Sequence, residues 1–273
     1  MNLSTLDQLT AAQPKVARQP SLFIGHGSPM NIVRDNAFTQ SLAELGKRHG
    51  KPSAALIISA HWLTRGTTSV SVNPKPATVY DFGGFPEELY RIKYPAPGSP
   101  SAAHETGVNV QSIKIHEDHE MGLDHGAWSI LRHIWPEADV PVFQMSIDYS
   151  KPPQFHYDLG KDLQRLRERG VMILGSGNIV HNLRQLSPNE NETRLADWAV
   201  EFDHWAGQKL AAGDHEALIN YASQDRTAQL AVPTNDHYLP MLYTLGAMDK
   251  NESVRFTHES FQHGSISMRT FES

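Results

Sequence analysis

Three histidines in this chain stand just after short apolar runs, in loops rich in glycine or serine: His26 in GHGSP, His61 in SAHW and His181 in GSGNIVHN. Two more sit where a turn gives way to a helical pattern, His125 in GLDHGAW and His237 in TNDHYLP. A neutral imidazole offers a nitrogen lone pair to a metal and also exchanges a proton near neutral pH, so one residue type can bind a cation and do acid–base work. Glycine and serine allow tight turns and close backbone approach to a bound group. Taken singly, each of the five reads as a hydrogen-bonded loop or core histidine. The chemical reading depends on all five reaching one place.

The rest of the composition narrows what that place can hold. There is no cysteine among 273 residues, so disulfides, thiolate zinc sites, iron–sulfur clusters and a cysteine nucleophile are excluded. A metal must sit on nitrogen and oxygen, and fifteen histidines are available. With 24 basic against 30 acidic residues the formal charge is −6, which gives no footprint for nucleic acid or an anionic membrane. Other signatures fail on spacing. HEDHE at 116–120 has Glu120 where a metalloprotease helix needs histidine, and Ser28 and Ser176 lie in glycine-flanked turns that do not make GxSxG. GHGSPM lacks the third glycine of a dinucleotide fingerprint, and no Walker A pattern occurs. His49, His104, His133, His156, His204, His215, His258 and His263 read as structural or surface residues.

The elements that must position the five histidines follow from apolar patterning. Leu22–Ile24, Ala54–Ile58, Val140–Met145 and Val171–Leu174 are short, uninterrupted apolar runs, the mark of strands buried on both faces. Helical spacing links them: Phe38, Leu42 and Leu45, then Trp128, Leu131 and Trp135, then Leu159, Leu163 and Leu166. Strands alternating with helices predict a single α/β domain with a mostly parallel central sheet flanked by helices. In such a sheet ligands bind at the carboxyl ends of the strands, which is where His26, His61 and His181 fall. A long helix is predicted over Arg194–Leu210 with Leu195, Trp198, Phe202 and Trp205 on its buried stripe, and a final strand around Ile266 and Met268. Tyr80–Pro100 reads as a long functional loop, with Tyr80–Pro86 and Tyr238 as candidate pocket walls. Residues 1–20 read as a mobile or loosely docked leader without a secretory signal, leaving 21–273 as the catalytic domain. No stretch is apolar enough to span a bilayer, so the cytoplasm is the expected compartment.

With GHGSP, SAHW, GLDHGAW, GSGNIVHNL and DHYLP in that order, the sequence resembles the class III extradiol ring-cleavage dioxygenases of the 4,5-DOPA type. YDFGGFPEELY at 80–90 and the closing HGSISMRTF fit the same pattern, and the match runs from about Ser21 to the C-terminus. The resemblance implies an enzyme that inserts dioxygen into a catechol ring, L-DOPA or a related catechol, to give a ring-opened semialdehyde. It implies one divalent metal on His26, His61 and His237. His181 matches a histidine that is either a fourth ligand in zinc-bound forms or a base beside the metal, and the sequence leaves that choice open. His125 matches a proton-transferring residue. Many extradiol enzymes use two histidines and a carboxylate, whereas here the third position is His237 with Asp236 merely adjacent, a set that suits zinc as the bound ion and ferrous iron as the catalytic one. The partners implied are a small catechol and dioxygen, with neither nucleic acid nor membrane, in a monomer or small homo-oligomer. Two other readings use the same histidines: zinc-assisted hydrolysis, which needs no oxygen, and a catalytically silent zinc-binding protein.

Overall fold

Leu22, Phe23 and Ile24 are consecutive apolar residues, and in a strand consecutive side chains leave by opposite faces. Phe23 enters one core cluster while Leu22 and Ile24 enter another, so the strand is buried on both sides. The same division splits Leu56 and Ile58 from Ala55 and Ile57, and Val171 and Ile173 from Met172 and Leu174. A computed structural model describes residues 17–224 and 226–273. Its central sheet contains β1 (Ser21–Gly25), β2 (Ala54–Ser59), β3 (Val142–Gln144), β4 (Val171–Gly177), β5 (Arg255–His258) and β6 (Thr270–Glu272), in the spatial order β3-β2-β4-β1-β6-β5. The first four are mutually parallel, and β6 runs antiparallel to both β1 and β5.

Helices cover both faces. α1 (Ala37–His49) and α2 (His125–Ile134) place Phe38, Leu42, Leu45, Trp128 and Leu131 against one face. The other face packs on α3 (Pro153–Arg167), α4 (Asp197–Ala212) and α5 (Leu239–Gly246). Each fully buried Leu, Ile or Phe contributes about 1.5–3 kcal/mol by leaving water. α5 is buried along its whole length, in keeping with its largely apolar sequence, and its Thr244 hydroxyl donates to the Met241 carbonyl.

Two expected elements differ. α4 begins at Asp197, and its buried face is Ala199, Phe202, Ala206 and Leu210. Leu195 is exposed, and Trp198 and Trp205 lie half-buried on the flanks, because small residues let the helix approach more closely than indoles do. The closing segment makes two short strands instead of one. Ile266–Ser267 pairs with Phe261–Gln262 in a separate ribbon, and Thr270–Glu272 joins the sheet. Between them Arg269 is buried, and a guanidinium there must meet a carboxylate, so the chain bends to bring it onto Asp203 of α4 at 2.6 Å. The leader expected over 1–20 lies mostly outside the described residues. Of its last four residues, Arg18 pairs with Asp249 at 2.8 Å and the Gln19 N–H donates to the Arg167 carbonyl. No described helix is long and apolar enough to cross a membrane.

Candidate metal centre

Sheet register sets the height of two histidines. Ile24 of β1 and Ser59 of β2 are both paired with Ser176 of β4, which lies between them, and His26 and His61 each follow two residues later. The two rings therefore leave the same end of the sheet at the same level, with Nε2 of one 3.4 Å from Nε2 of the other. His181 follows the intervening strand, so three adjacent strands supply three histidines to one crevice.

His125 and His237 arrive on helices. Asp124 caps α2 by accepting from the Ala127 N–H, which makes His125 the first helical residue. His237 lies just ahead of α5, whose first turn contains Pro240. Its closeness to β4 depends on Gly177: a Cβ at that position would stand 2.1 Å from the His237 carbonyl oxygen. The adjacent Asn178 N–H donates to that carbonyl at 2.8 Å, fixing the approach.

The rings converge. Centroid separations are 5.2 Å for His26–His61, 5.2 Å for His26–His237 and 5.0 Å for His61–His237. His125 lies 3.9 Å from His61, and His181 stacks on His237 at 3.5 Å with 7° between the planes. Among the described residues, donor atoms of His26, His61 and His237 all fall within 4.8 Å of one another. Two further groups, His61–Asp81–His125 and His181–Asp236–His237, are as tight, but in each the carboxylate holds imidazole nitrogens.

Hydrogen bonds fix which nitrogen is free in His26, His237 and His125. Ser176 donates its one hydroxyl proton to the Gly126 carbonyl at 2.6 Å, so it accepts from His26 Nδ1–H at 2.9 Å, and the lone pair of His26 is on Nε2. Asp236 accepts from His237 Nδ1 at 2.9 Å, again leaving Nε2. Asp81 Oδ2 accepts from His125 Nδ1 at 3.0 Å, lies 3.3 Å from Nδ1 of His61, and its other oxygen accepts the His125 backbone N–H at 2.8 Å. The Nε2 atoms of His26 and His61, 3.4 Å apart, are within hydrogen-bond reach, one donating to the other's lone pair; once that proton is displaced both lone pairs face the same point. Two nitrogens bound to one tetrahedral zinc at about 2.0–2.1 Å stand about 3.3 Å apart, so the donor set fits a divalent ion. Carboxylates behind coordinating histidines orient the rings and strengthen them as ligands, so the negative charge missing from the all-histidine set is present one bond further out.

Protonation favours the same use. Burial drives His26 and His237 well below the ordinary imidazole range, and the neighbouring histidines push further the same way. Burial likewise lowers His61 to about 3 and His181 to about 4 against the pull of Asp236, so these rings are neutral at neutral pH. Burial alone would raise Asp81, but its hydrogen bond and attraction to His125 outweigh it and keep the carboxylate ionised.

Above the rings is a cavity of ≈ 320 Å³ with walls from Phe82, Phe85, Leu183, Leu186 and Ile266. The Tyr80–Pro86 loop thus supplies Phe82, Gly83 and Phe85 to the wall. Tyr238, expected as a wall, does not reach it. That ring is fully buried on the opposite face, beside Phe202 and Tyr221, where its hydroxyl donates to the Leu218 carbonyl. Sequence reasoning missed Asp81, which has no local signal because it lies 44 residues from His125. It also passed over His263, read as structural, which lines the cavity.

Residues 19–269 match a family described as the catalytic LigB subunit of aromatic ring-opening dioxygenase. The chain is 42% identical over 255 residues to the 4,5-DOPA dioxygenase extradiol of Escherichia coli (strain K12), covering 92% of this chain and 93% of that one. It is 36% identical over 260 residues to the enzyme of the same name from Beta vulgaris, covering 92% and 95%. The crystal structure of an uncharacterized Escherichia coli K12 protein superposes with a TM-score of 0.81 at 38% identity, over 93% of this chain and 99% of that one.

Proposed function

The chain belongs to the LigB family and is an extradiol ring-opening dioxygenase acting on a catechol, and from that premise we propose which of its residues carry the reaction. His26, His61 and His237 hold one divalent metal through Nε2. The observation that carries this assignment is the 3.4 Å approach of the Nε2 atoms of buried His26 and half-buried His61, whose Nδ1 sides are turned to Ser176 and Asp81. Bound there, such an ion would bring catechol and dioxygen together and supply the redox chemistry that ring opening needs.

The chain's own groups do the proton work. His181 lies beside the three-nitrogen group, and neither of its ring nitrogens hydrogen-bonds a described residue. It is neutral at working pH, and Asp236 favours its charged form, so we assign it the role of base that takes a catechol proton. His125 presents Nε2 to the site while Asp81 holds Nδ1–H and fixes the ring. It therefore delivers a proton to oxygen as the ring opens. Phe82 and Phe85 flank the catechol and exclude water.

The relatives' names point to L-DOPA or a related catechol as substrate. For the metal, zinc binds this nitrogen set but has no accessible redox change, so ferrous iron supports turnover. The test is anaerobic reconstitution with ferrous iron or with zinc, followed by oxygen and a catechol panel, recording oxygen uptake and product mass. A product carrying both oxygen atoms is expected from the iron form alone. Aerobic cleavage by an iron-free, zinc-loaded sample would refute the metal assignment.

A further inference from the structure

One residue of the cavity wall has a backbone that its side chain must justify. His263 has φ 53 and precedes Gly264 at φ 73. A non-glycine residue in the left-handed region is uncommon and strained, and such residues cluster at ligand sites. Here the strain is held by the 187–190 loop. The Ser187 N–H donates to the His263 carbonyl, His263 Nδ1–H donates to the Ser187 carbonyl, and the His263 N–H donates to the Glu190 carbonyl, each at 2.9 Å. The ring is thereby immobilised in the wall with Nδ1 occupied, and Nε2 is left with no described partner.

The neighbouring wall residue is Ser28. Gln262 ties the two together: its Oε1 accepts from the Ser28 N–H at 3.0 Å and from Asn31 Nδ2 at 3.1 Å, and its Nε2 donates to Asn31 Oδ1 at 2.9 Å. The Ser28 hydroxyl oxygen accepts from the Met30 N–H, and its proton goes to no described residue. The walls beyond the metal-binding end are otherwise apolar, so His263 and Ser28 are the polar side chains available to whatever a catechol carries away from its diol.

We propose that His263 and Ser28 form the subsite for a polar ring substituent, with His263 Nε2 accepting from an ammonium group and the Ser28 hydroxyl donating to a carboxylate. Together they match an α-amino acid side arm. This deepens the ring-cleavage reading and rests on it. The pinned Nδ1–H makes Nε2 an acceptor in the neutral ring, which is why the ammonium is given to His263.

The test uses the full-length, ferrous-iron-loaded protein and four probes: L-DOPA, dopamine (ammonium only), 3,4-dihydroxyphenylpropionate (carboxylate only) and 4-methylcatechol (neither). In the unmodified protein KM should be lowest for L-DOPA and highest for 4-methylcatechol. His263→Asn tolerates the left-handed backbone but is too short to replace the ring. It should raise the L-DOPA to 4-methylcatechol and dopamine to 4-methylcatechol KM ratios by about ten-fold or more, the loss of a hydrogen bond to a charged group. Ser28→Ala should raise the ratio for the two carboxylate probes. Equal changes for all four probes would overturn the subsite, as would four equal KM values in the unmodified protein, a result that needs no variant to fold. Failure of the unmodified protein to cleave any probe would instead overturn the ring-cleavage reading itself.

Discussion

His156 and His26 are both sealed from solvent, at 0% and 3% exposure, and burial pushes both imidazoles down, yet their partners differ in kind. His156 lies in α3 with Nδ1 accepting from the Tyr243 hydroxyl at 2.9 Å and Nε2 donating to the Lys151 carbonyl at 3.4 Å. Burial raises the Tyr243 phenol, which keeps it a donor. Both ring nitrogens are used within the fold. His26 is satisfied on one side by Ser176, and on the other it presents a lone pair to the Nε2 of His61. The first arrangement closes on the fold's own groups, whereas in the second two imidazoles meet only each other and can turn both lone pairs to a cation. Burial therefore does not mark a candidate ligand histidine; ring nitrogens that meet only one another do.

The largest consequence of that difference is in catalysis. His61→Ala removes one of the three converging Nε2 atoms, so the protein should lose metal binding and ring cleavage while remaining folded. Metal content by mass spectrometry, oxygen uptake and thermal unfolding are the measurements. Retention of a full complement of metal would take His61 out of the site and dissolve the contrast with His156. A smaller loss should follow from the carboxylates behind the rings. Asp81→Asn keeps the shape but weakens the hold on His61 and His125, and changes of this kind cost about 10–100-fold in metal affinity or activity. An effect below that on both affinity and turnover would show that packing alone orients the two rings.

The opposite half of the comparison predicts a stability loss without a catalytic one. His156→Gln leaves the Tyr243 hydroxyl and the Lys151 carbonyl imperfectly matched in the core, which costs about 1–3 kcal/mol. Urea unfolding should show the loss, while metal content and turnover of the folded enzyme stay as they were. A drop in turnover at full metal occupancy would tie α3 to the chemistry and blur the distinction.

These differences explain what the sequence reveals. Strands β1, β2 and β4 are legible because a strand buried on both faces must be an uninterrupted apolar run, and the residue after such a run lies at the sheet's carboxyl end. That is enough to place His26, His61 and His181. His125 and His237 show only as turn-to-helix histidines, to which the family resemblance adds roles, because they come from helices whose closeness to the sheet depends on details such as Gly177. Asp81 is not legible, because its role exists only through folding across 44 residues. Tyr238 misleads because it follows His237 directly, and consecutive residues at a helix start point in different directions. His263 is hydrogen-bonded within the fold, as its structural reading has it, but nothing local to a sequence shows its positive φ or its place in the cavity wall.

The smallest effect concerns acid. His156 is lowered to about 4 in the folded protein by burial, against about 6.5 when unfolded. The folded state keeps this ring neutral while the unfolded chain takes up a proton below pH 6.5, so its stabilising effect is fully present above pH 6.5. That effect is lost as pH falls from 6.5 toward 4, at about 1.4 kcal/mol per pH unit while the proton difference is one. His61 and His181, lowered to about 3 and about 4, act with the same sign in metal-free protein, so its stability should fall more steeply than one histidine accounts for. In metal-free samples His156→Gln should reduce the slope of unfolding free energy against pH between 6.5 and 4 by about one proton, leaving the steeper remainder to the cluster. Urea titrations at several pH values read this directly. An unchanged slope would mean that His156 is not held neutral by the fold, and the two kinds of buried histidine would then differ only in their partners.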